Sequence, residues 1–372
     1  MRVPPPDFDA APLRSAPDAR FVPAPADGVL PEGFYSTTNL PTWVKSEGKW
    51  AMPHESRMDA ALVRAKDGTL WAREMRRVRL GDAVAVGLQE DGSEGILVKE
   101  GLFEPASSGA FKFMASDVSR EKPTDYERIA ELLIQEKARG GHVLWVTGPA
   151  LVHARAREDL AWFVAHGYVG ALLAGNAVAV HDIEASLYGT TLGMSHAGES
   201  LPFGHGAHLR AINRIRAAGG IAPAVRQGLL KDGVMHACVV QKTPFVLCGS
   251  IRDDGPLPEV VPDVLDAQDA MRPHAARATA AVFIATALHA IAVGNMLPSF
   301  VVDPDGWLRP LPVVCVDASE FVVGKLRDRG THQAFGVVTN AQDFLRLLRL
   351  AVQAAPLKSA AAGVRTAPGH AG

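Results

Sequence analysis

Apolar and polar positions alternate on different periods along this chain. From about Pro31 to Met114, short β-like runs (Ala60-Ala-Leu-Val-Arg64, Ala83-Val-Ala-Val86, Ile96-Leu-Val98) are separated by turn signals such as Lys66-Asp-Gly68, Leu80-Gly-Asp82 and Glu90-Asp-Gly-Ser93. Short strands spaced by such turns predict a small β-rich domain over 31–115. Residues 1–30 are rich in Pro, Ala and Asp without a sustained period, and predict a flexible arm. Ser116 to Pro123 reads as a charged connector.

Beyond it the period lengthens. A helix is predicted from Tyr126 to Ala138, stopped by Gly140-Gly141. Strand-like His142 to Thr147, the turn Gly148-Pro149-Ala150, a helix to His166 and a strand from Val169 to Ala174 follow. The pattern recurs at Val313 to Val316, ending in Asp317 before a helix to Arg327. It recurs again at Ala334 to Val338, before a helix from Ala341 to about Val352. Alternation of this kind predicts an α/β fold, a doubly wound, mostly parallel sheet with helices on both faces, over 116–356. The small, polar tail 357–372 is expected to be disordered. The most apolar stretch, Ala280 to Val293, reads as a buried helix, too short to span a bilayer.

Composition narrows the function. The chain has 372 residues, 48% of them apolar, enough for two domains with buried interiors. Its 38 Lys and Arg against 40 Asp and Glu disfavour a nucleic-acid or anionic-membrane partner, which calls for a basic surface. The three cysteines, Cys238, Cys248 and Cys315, have no metal-ligand spacing and suit a reducing cytoplasm. No His-Glu-x-x-His or similar pattern is present, so no metal is expected. The first residues lack the apolar segment of a signal peptide.

The chemistry gathers at strand ends. Ala174-Gly-Asn-Ala-Val-Ala-Val-His-Asp-Ile-Glu184 follows one apolar run, and Gly249-Ser-Ile-Arg-Asp-Asp-Gly255 follows another, Pro244 to Cys248. Open α/β sheets build ligand sites there, at the carboxyl edge of their strands. Gly148, Pro149 and Ala150 offer a turn whose following N–H groups can face a phosphate, or form a plain strand–helix turn. Asp317 can hold a ribose diol or cap the next helix, and the two uses are compatible. Gly175, Asn176 and Ala177, with Gly249 and Ser250, are turn residues that allow close approach of a cofactor. In the second cluster Arg252 suits a substrate carboxylate by a bidentate bond, while Asp253 and Asp254 suit amines. Such a triplet is also common on solvated loops; the second acid pair, Asp182 and Glu184, favours a shared active cleft. Arg210 and Arg214 share a helical face beside His205 and His208, either an anion clamp or a solvated surface. His153, His166, His236 and His289 stand isolated in the sequence.

These residues carry a family resemblance. Phe34-Tyr-Ser-Thr-Thr-Asn39, Ala174 to Glu184, Tyr188-Gly-Thr-Thr-Leu-Gly193, Arg210-Ala-Ile-Asn213, Gly249 to Pro258, Asp266-Ala-Gln-Asp-Ala-Met271 and Val316-Asp317 span most of the chain. They resemble the archaeal-type ornithine cyclodeaminase family, labelled a lysine-oxoglutarate reductase/saccharopine dehydrogenase domain. That domain also forms the C-terminal part of cyanobacterial arginine dihydrolase/ornithine cyclodeaminases. Met58-Asp59-Ala60 departs from the family's frequent Met-Asp-Cys.

The resemblance implies a β-rich domain plus a Rossmann-like domain akin to that of deoxyhypusine synthase, with NAD as cofactor. It also implies conversion of L-ornithine to L-proline and ammonia with no net redox. On that expectation Arg252 binds the substrate carboxylate, Asp253 or Asp254 the amines, and Asp182 or Glu184 serves as base. Asn176 and Asp317 hold NAD, and the two acid-bearing segments share one pocket. A homo-oligomer is the default. The competing readings are another NAD-dependent amino-acid dehydrogenase and a non-catalytic NAD or amino-acid binder.

Overall fold

The computed structural model describes residues 2–103, 125–153, 155–195, 199, 204–328 and 334–364, which fall into two compact units. The expected connector Ser116–Pro123 and the end of the expected tail, 365–372, lie outside the described residues.

The first unit is β-rich. Its strands are β1 (Arg20–Pro23), β2 (Thr42–Ser46), β3 (Lys49–Ala51), β4 (Ala61–Arg64), β5 (Leu70–Arg73), β6 (Ala83–Val86) and β7 (Ile96–Val98). They form two antiparallel sheets ordered β1-β6-β4-β5 and β3-β2-β7. Between β2 and β3 the two turn residues, Glu47 (φ 54°) and Gly48 (φ 72°), both take positive φ, the twist-matched geometry of a two-residue hairpin. Val44, Leu62 and Ile96 are fully buried between the layers.

The expected flexible arm is tied down. β1 pairs with β6 from Arg20↔Val86 to Pro23↔Ala83. The buried Lys45 ammonium donates to the carbonyls of Arg14 (2.9 Å) and Ala16 (2.7 Å). A buried charge needs acceptors, and residues 14–16 supply them. No period announces this, because a single edge strand and three carbonyls leave little trace in side-chain type.

The second unit alternates strand and helix. It opens with α1 (Tyr126–Ala138), β8 (Val143–Thr147), α2 (Ala150–His153), α3 (Arg157–Ala165) and β9 (Ala171–Gly175). β9 runs without a loop into α4 (Asn176–Tyr188), followed by the small hairpin β10 (Thr190–Thr191) and β11 (Met194–Ser195). Then come α5 (Ala207–Ala218), α6 (Ile221–Arg226), α7 (Val234–Gln241), β12 (Phe245–Cys248), β13 (Val260–Val261), α8 (Val264–Ala276) and β14 (Ala280–Ile284), after which α9 (Leu288–Met296) is divided, its residues from Ile291 belonging to the first unit. The hairpin β15 (Phe300–Val302) and β16 (Leu308–Pro310) belongs to the first unit, where Phe300 and Leu308 pack with Trp43 and Leu97. The strand–helix alternation assigns these residues to the later domain, 116–356. β17 (Val313–Asp317), α10 (Glu320–Asp328), β18 (Ala334–Val338) and α11 (Ala341–Val364) complete the chain.

The large sheet has seven strands ordered β13-β12-β9-β8-β14-β17-β18. The pairings from β13 through β17 are all parallel. Every residue of β8 and β14 is buried, as expected of strands covered on both faces. Trp145 of β8 and Phe163 of α3 meet in the core with ring centroids 5.2 Å apart, tilted by 37°. From β8 the chain moves outward through β9, β12 and β13, then returns to the other side of β8 for β14, β17 and β18. The crevice at that reversal, outside the strands' carboxyl ends, is where such sheets bind ligands.

Three expectations on element type change. The apolar stretch Ala280 to Val293 splits into β14 and α9, because the β-favouring Val282, Phe283 and Ile284 enter the sheet before Ala285 (φ 55°) turns the chain. The helix expected from Ala150 to His166 breaks at Arg155, whose φ of 61° ends α2. α11 continues to Val364, through residues expected to be a disordered tail, on an alanine-rich sequence of high helix propensity. Among the described residues no helix is long and apolar enough to cross a membrane.

Candidate active site

A cavity of about 310 Å³ opens at the carboxyl ends of β9 and β12. Asn176 and His181 of α4 line one side, Ser250, Arg252 and Asp254 of the loop after β12 another, and His208 of α5 a third. The two clusters singled out in the sequence therefore meet. Asn176 fastens them together: its Nδ2 donates to Asp253 Oδ1 (3.0 Å) and its Oδ1 accepts from Leu257 N (3.1 Å). Asp253 Oδ2 also accepts from Ser250 N (2.8 Å), closing the loop on itself.

Loop charges divide into committed and available ones. Asp253 is spent on Asn176 and Ser250. The Arg252 guanidinium and the Asp254 carboxylate are exposed and have no partner among the described residues. A guanidinium and a carboxylate on one cavity wall match the carboxylate and ammonium of an amino acid.

The acids of α4 behave otherwise. Asp182 has no exposed surface and does not line the cavity. It accepts from Arg157 Nε (2.6 Å) and from the N–H groups of Val234 (2.9 Å) and Met235 (2.8 Å), capping the start of α7. Burial pushes its carboxyl up, against the pull of Arg157 and those two N–H groups. Only glycine fits at 233: a Cβ there would collide with the Arg157 guanidinium and the Asp182 carboxylate.

Glu184 is also fully buried. Its oxygens face His181 Nδ1 (3.1 Å), Thr190 Oγ1 (2.9 Å), Leu192 N (3.1 Å) and Gly193 N (2.9 Å). Burial raises its carboxyl, but these hydrogen bonds outweigh it and hold the group below its ordinary value. Neither acid expected as base thus presents itself to the cavity. His181 does, three residues before Glu184 on the same helical face, a residue to which the sequence expectation assigns no role of its own. The signal was the His-x-x-Glu spacing, legible once the segment is known to be helical.

The positions expected to hold a cofactor sit along the same sheet edge. Gly175 and Ala177 line the cavity beside Asn176. Gly249 is occupied structurally, donating to Val261 O (2.8 Å). Gly148 donates to Ile284 O (2.9 Å), packed so closely on the Ala285 carbonyl that no Cβ fits. Pro149 and Ala150 are exposed, leading into the single turn of α2. Asp317 accepts from Ser319 N (2.9 Å), a local turn that leads into α10, whose first bonds start at the Ser319 carbonyl. Its second oxygen has no described partner.

Thr147, last residue of β8 at the reversal of strand order, has a buried Oγ1 with no partner. An orphaned hydroxyl there, with Asp317 two strands away, suits a bound nucleotide. On the cavity wall, Cys248 lies 3.7 Å from His289 Nε2, which burial holds down at about 4 and therefore neutral. Among the described residues no group of three His, Cys, Asp or Glu is placed to hold a metal ion.

Comparison with known proteins places this geometry. The family description "Arginine dihydrolase ArgZ-like, C-terminal, Rossmann fold" matches residues 127–348, and its "first region" matches 41–127. An ornithine cyclodeaminase from Methanopyrus kandleri is 46% identical over 342 residues, covering 91% of this chain and 79% of its own length. The crystal structure of a conserved LOR/SDH protein from Methanococcus maripaludis superimposes with a TM-score of 0.82 at 40% identity, over 91% of this chain and 99% of that one. A ternary complex of AgrE with ornithine and NAD+ matches with a TM-score of 0.57 at 36% identity, over 93% of this chain and 47% of that one.

Proposed function

The chain belongs to the ArgZ-like C-terminal family, and from that premise we propose that it is an NAD-dependent ornithine cyclodeaminase, converting L-ornithine to L-proline and ammonia. The observation that carries the reading is the pairing of an uncommitted Arg252 with an uncommitted Asp254 on one cavity at the carboxyl edge of the sheet. Arg252 grips the substrate carboxylate and Asp254 an ammonium, while Asn176 and Asp253 fix the loop that carries both.

When bound, NAD+ would supply the redox chemistry at the substrate Cα. Thr147, Gly175, Asn176, Ala177 and Asp317, along the carboxyl ends of β8, β9 and β17, are the residues that would hold it. Gly148, Pro149 and Ala150 border that crevice, and Gly249 and Ser250 shape its far wall. Ring closure needs the substrate folded so that its δ-nitrogen meets Cα. Clamping the carboxylate at Arg252 and one amine at Asp254 restricts it to such conformers. We extend the reading to a cytoplasmic homo-oligomer serving proline formation: the cysteines are free, as in a reducing compartment, and symmetric association is the usual state of such enzymes.

Incubation of the purified protein with L-ornithine and NAD+ tests this. Proline and ammonia should form in equal amounts with no steady growth of absorbance at the NADH band. Steady NADH growth would select a net dehydrogenase, and ornithine binding without product would select a sensor.

A further inference from the structure

We propose that His181, oriented by Glu184, is the catalytic residue that carries protons between the two substrate nitrogens during ring closure. This rests on the cyclodeaminase reading and adds to it the group that the reaction requires and the expected acids do not provide.

The argument begins with valence. An ionised carboxylate only accepts hydrogen bonds, and offers about four lone-pair sites. Glu184 faces four groups, and three of them, Thr190 Oγ1, Leu192 N and Gly193 N, are donors. The fourth, His181 Nδ1, must donate as well, so the imidazole carries its proton on Nδ1. Nε2 then holds the free lone pair. It has no hydrogen-bond partner among the described residues, and the ring lines the cavity that Arg252 and Asp254 share. Glu184 is a positioning residue. It also holds the 190–193 turn, whose Leu192 lines the same cavity.

The chemistry asks for such a group. Once Cα is oxidised to the iminium (Cα=NH2+), the δ-ammonium must lose a proton before it can attack. The proton passes to Nε2, the freed lone pair forms the N–Cα bond, and the π pair of C=N moves onto the α-nitrogen. Nε2 returns its proton to that nitrogen. A second proton then passes from the ring nitrogen to Nε2, and the ring nitrogen's lone pair expels ammonia, which leaves with that proton as ammonium. One group thus serves as base, acid and base again, and must exchange protons readily near neutral pH. An imidazole does so, whereas Asp182, Glu184 and Asp253 are each held in hydrogen bonds that exclude it. The His181 ring also lies 4.5 Å from that of His153, which lines a second cavity of about 220 Å³ on the other side of Leu192.

Stopped-flow and steady-state assays of the purified protein with ornithine and NAD+ provide the test. His181→Gln should release ammonia at least a hundredfold more slowly, while an NADH transient still appears on mixing and is no longer consumed. In His181→Ala, added imidazole should restore part of the ammonia release, which a merely structural defect would not allow. Glu184→Gln should lower kcat roughly tenfold to a hundredfold with KM little changed. Ammonia release by His181→Gln within threefold of the unmodified protein overturns the proposal. So does loss of the NADH transient together with ammonia release, because the block then precedes ring closure. A Glu184→Gln effect confined to KM removes Glu184 from the positioning role. If the unmodified protein makes no proline at all, it is the cyclodeaminase reading that fails.

Discussion

Two sets of acids approach this cavity, and they are built for opposite purposes. On α4, Asp182 and Glu184 have no exposed surface, and their oxygens are filled by named donors. On the loop after β12, Asp254 is exposed and unengaged, beside an Arg252 in the same condition. A carboxylate with all its lone pairs engaged is part of the scaffold, whatever its distance from a cavity. One that faces a concave surface without a partner is available to a ligand. Asp253 stands between the two classes, on the loop but bound to Asn176 and Ser250.

The largest test of this contrast is stability. Asp182→Ala leaves the Arg157 guanidinium, among the described residues, with the exposed Asp232 as its partner, and strips two N–H groups at the start of α7 of their acceptor. We expect a loss of about 3–5 kcal/mol. Asp254→Ala should stay within about 0.5 kcal/mol of the unmodified protein. Urea unfolding of both variants decides it, and equal losses would erase the distinction.

Function should invert that ranking. Arg252→Lys keeps the charge but removes the bidentate fork, so kcat/KM for ornithine should fall roughly a hundredfold, about 2.7 kcal/mol, carried largely by KM. Asp254→Asn should cut turnover with the urea midpoint unmoved. An Arg252→Lys variant with unchanged kcat/KM would place the substrate carboxylate elsewhere.

Much of this could be read in the sequence, and the failures have a common cause. The parallel sheet was legible because buried strands and helices alternate with turn residues at each change. The meeting of the segments around Asn176 and Arg252 was legible because both follow apolar runs that end at one sheet edge. The partition of acids was not. In Val178-Ala-Val-His-Asp-Ile-Glu184 the apolar run masks its period, and helix and strand cannot be told apart in so short a stretch. The helical period decides everything there. It carries Asp182 toward α7 and brings His181 and Glu184 onto one face. Likewise Lys45, an ordinary surface residue by type, is what holds residues 14–16, and no local pattern could say so.

Acid titration sharpens the comparison further. The Glu184 carboxyl is held below its ordinary value, so its contribution to stability is complete above the unfolded-state pKa, about 4.3. It is lost as pH falls through the lower folded-state value. Glu184→Gln should therefore cost on the order of 2 kcal/mol at pH 7. The gap between the two proteins should narrow only under acid conditions. A gap that widens on acidification would mean that the buried group is neutral in the folded protein.

The smallest expected effect is the most diagnostic, because it concerns the acid that belongs to neither class. Asp253 accepts from Asn176 Nδ2 at one oxygen and from Ser250 N at the other. Asparagine can keep one of these bonds, but its amide must then point a donor at the other donor. The net cost should be about 1 kcal/mol, spread over the loop rather than the whole fold. Amide exchange at Ser250 and Leu257 should quicken, since both N–H groups are held by this arrangement. The KM for ornithine should rise about fivefold, as Arg252 and Asp254 lose their fixed bearing. If kcat collapses while exchange stays slow, Asp253 meets the substrate directly and belongs with Asp254. If global stability falls as far as in Asp182→Ala, the loop is scaffold throughout, and availability to a ligand has to be sought elsewhere on the sheet edge.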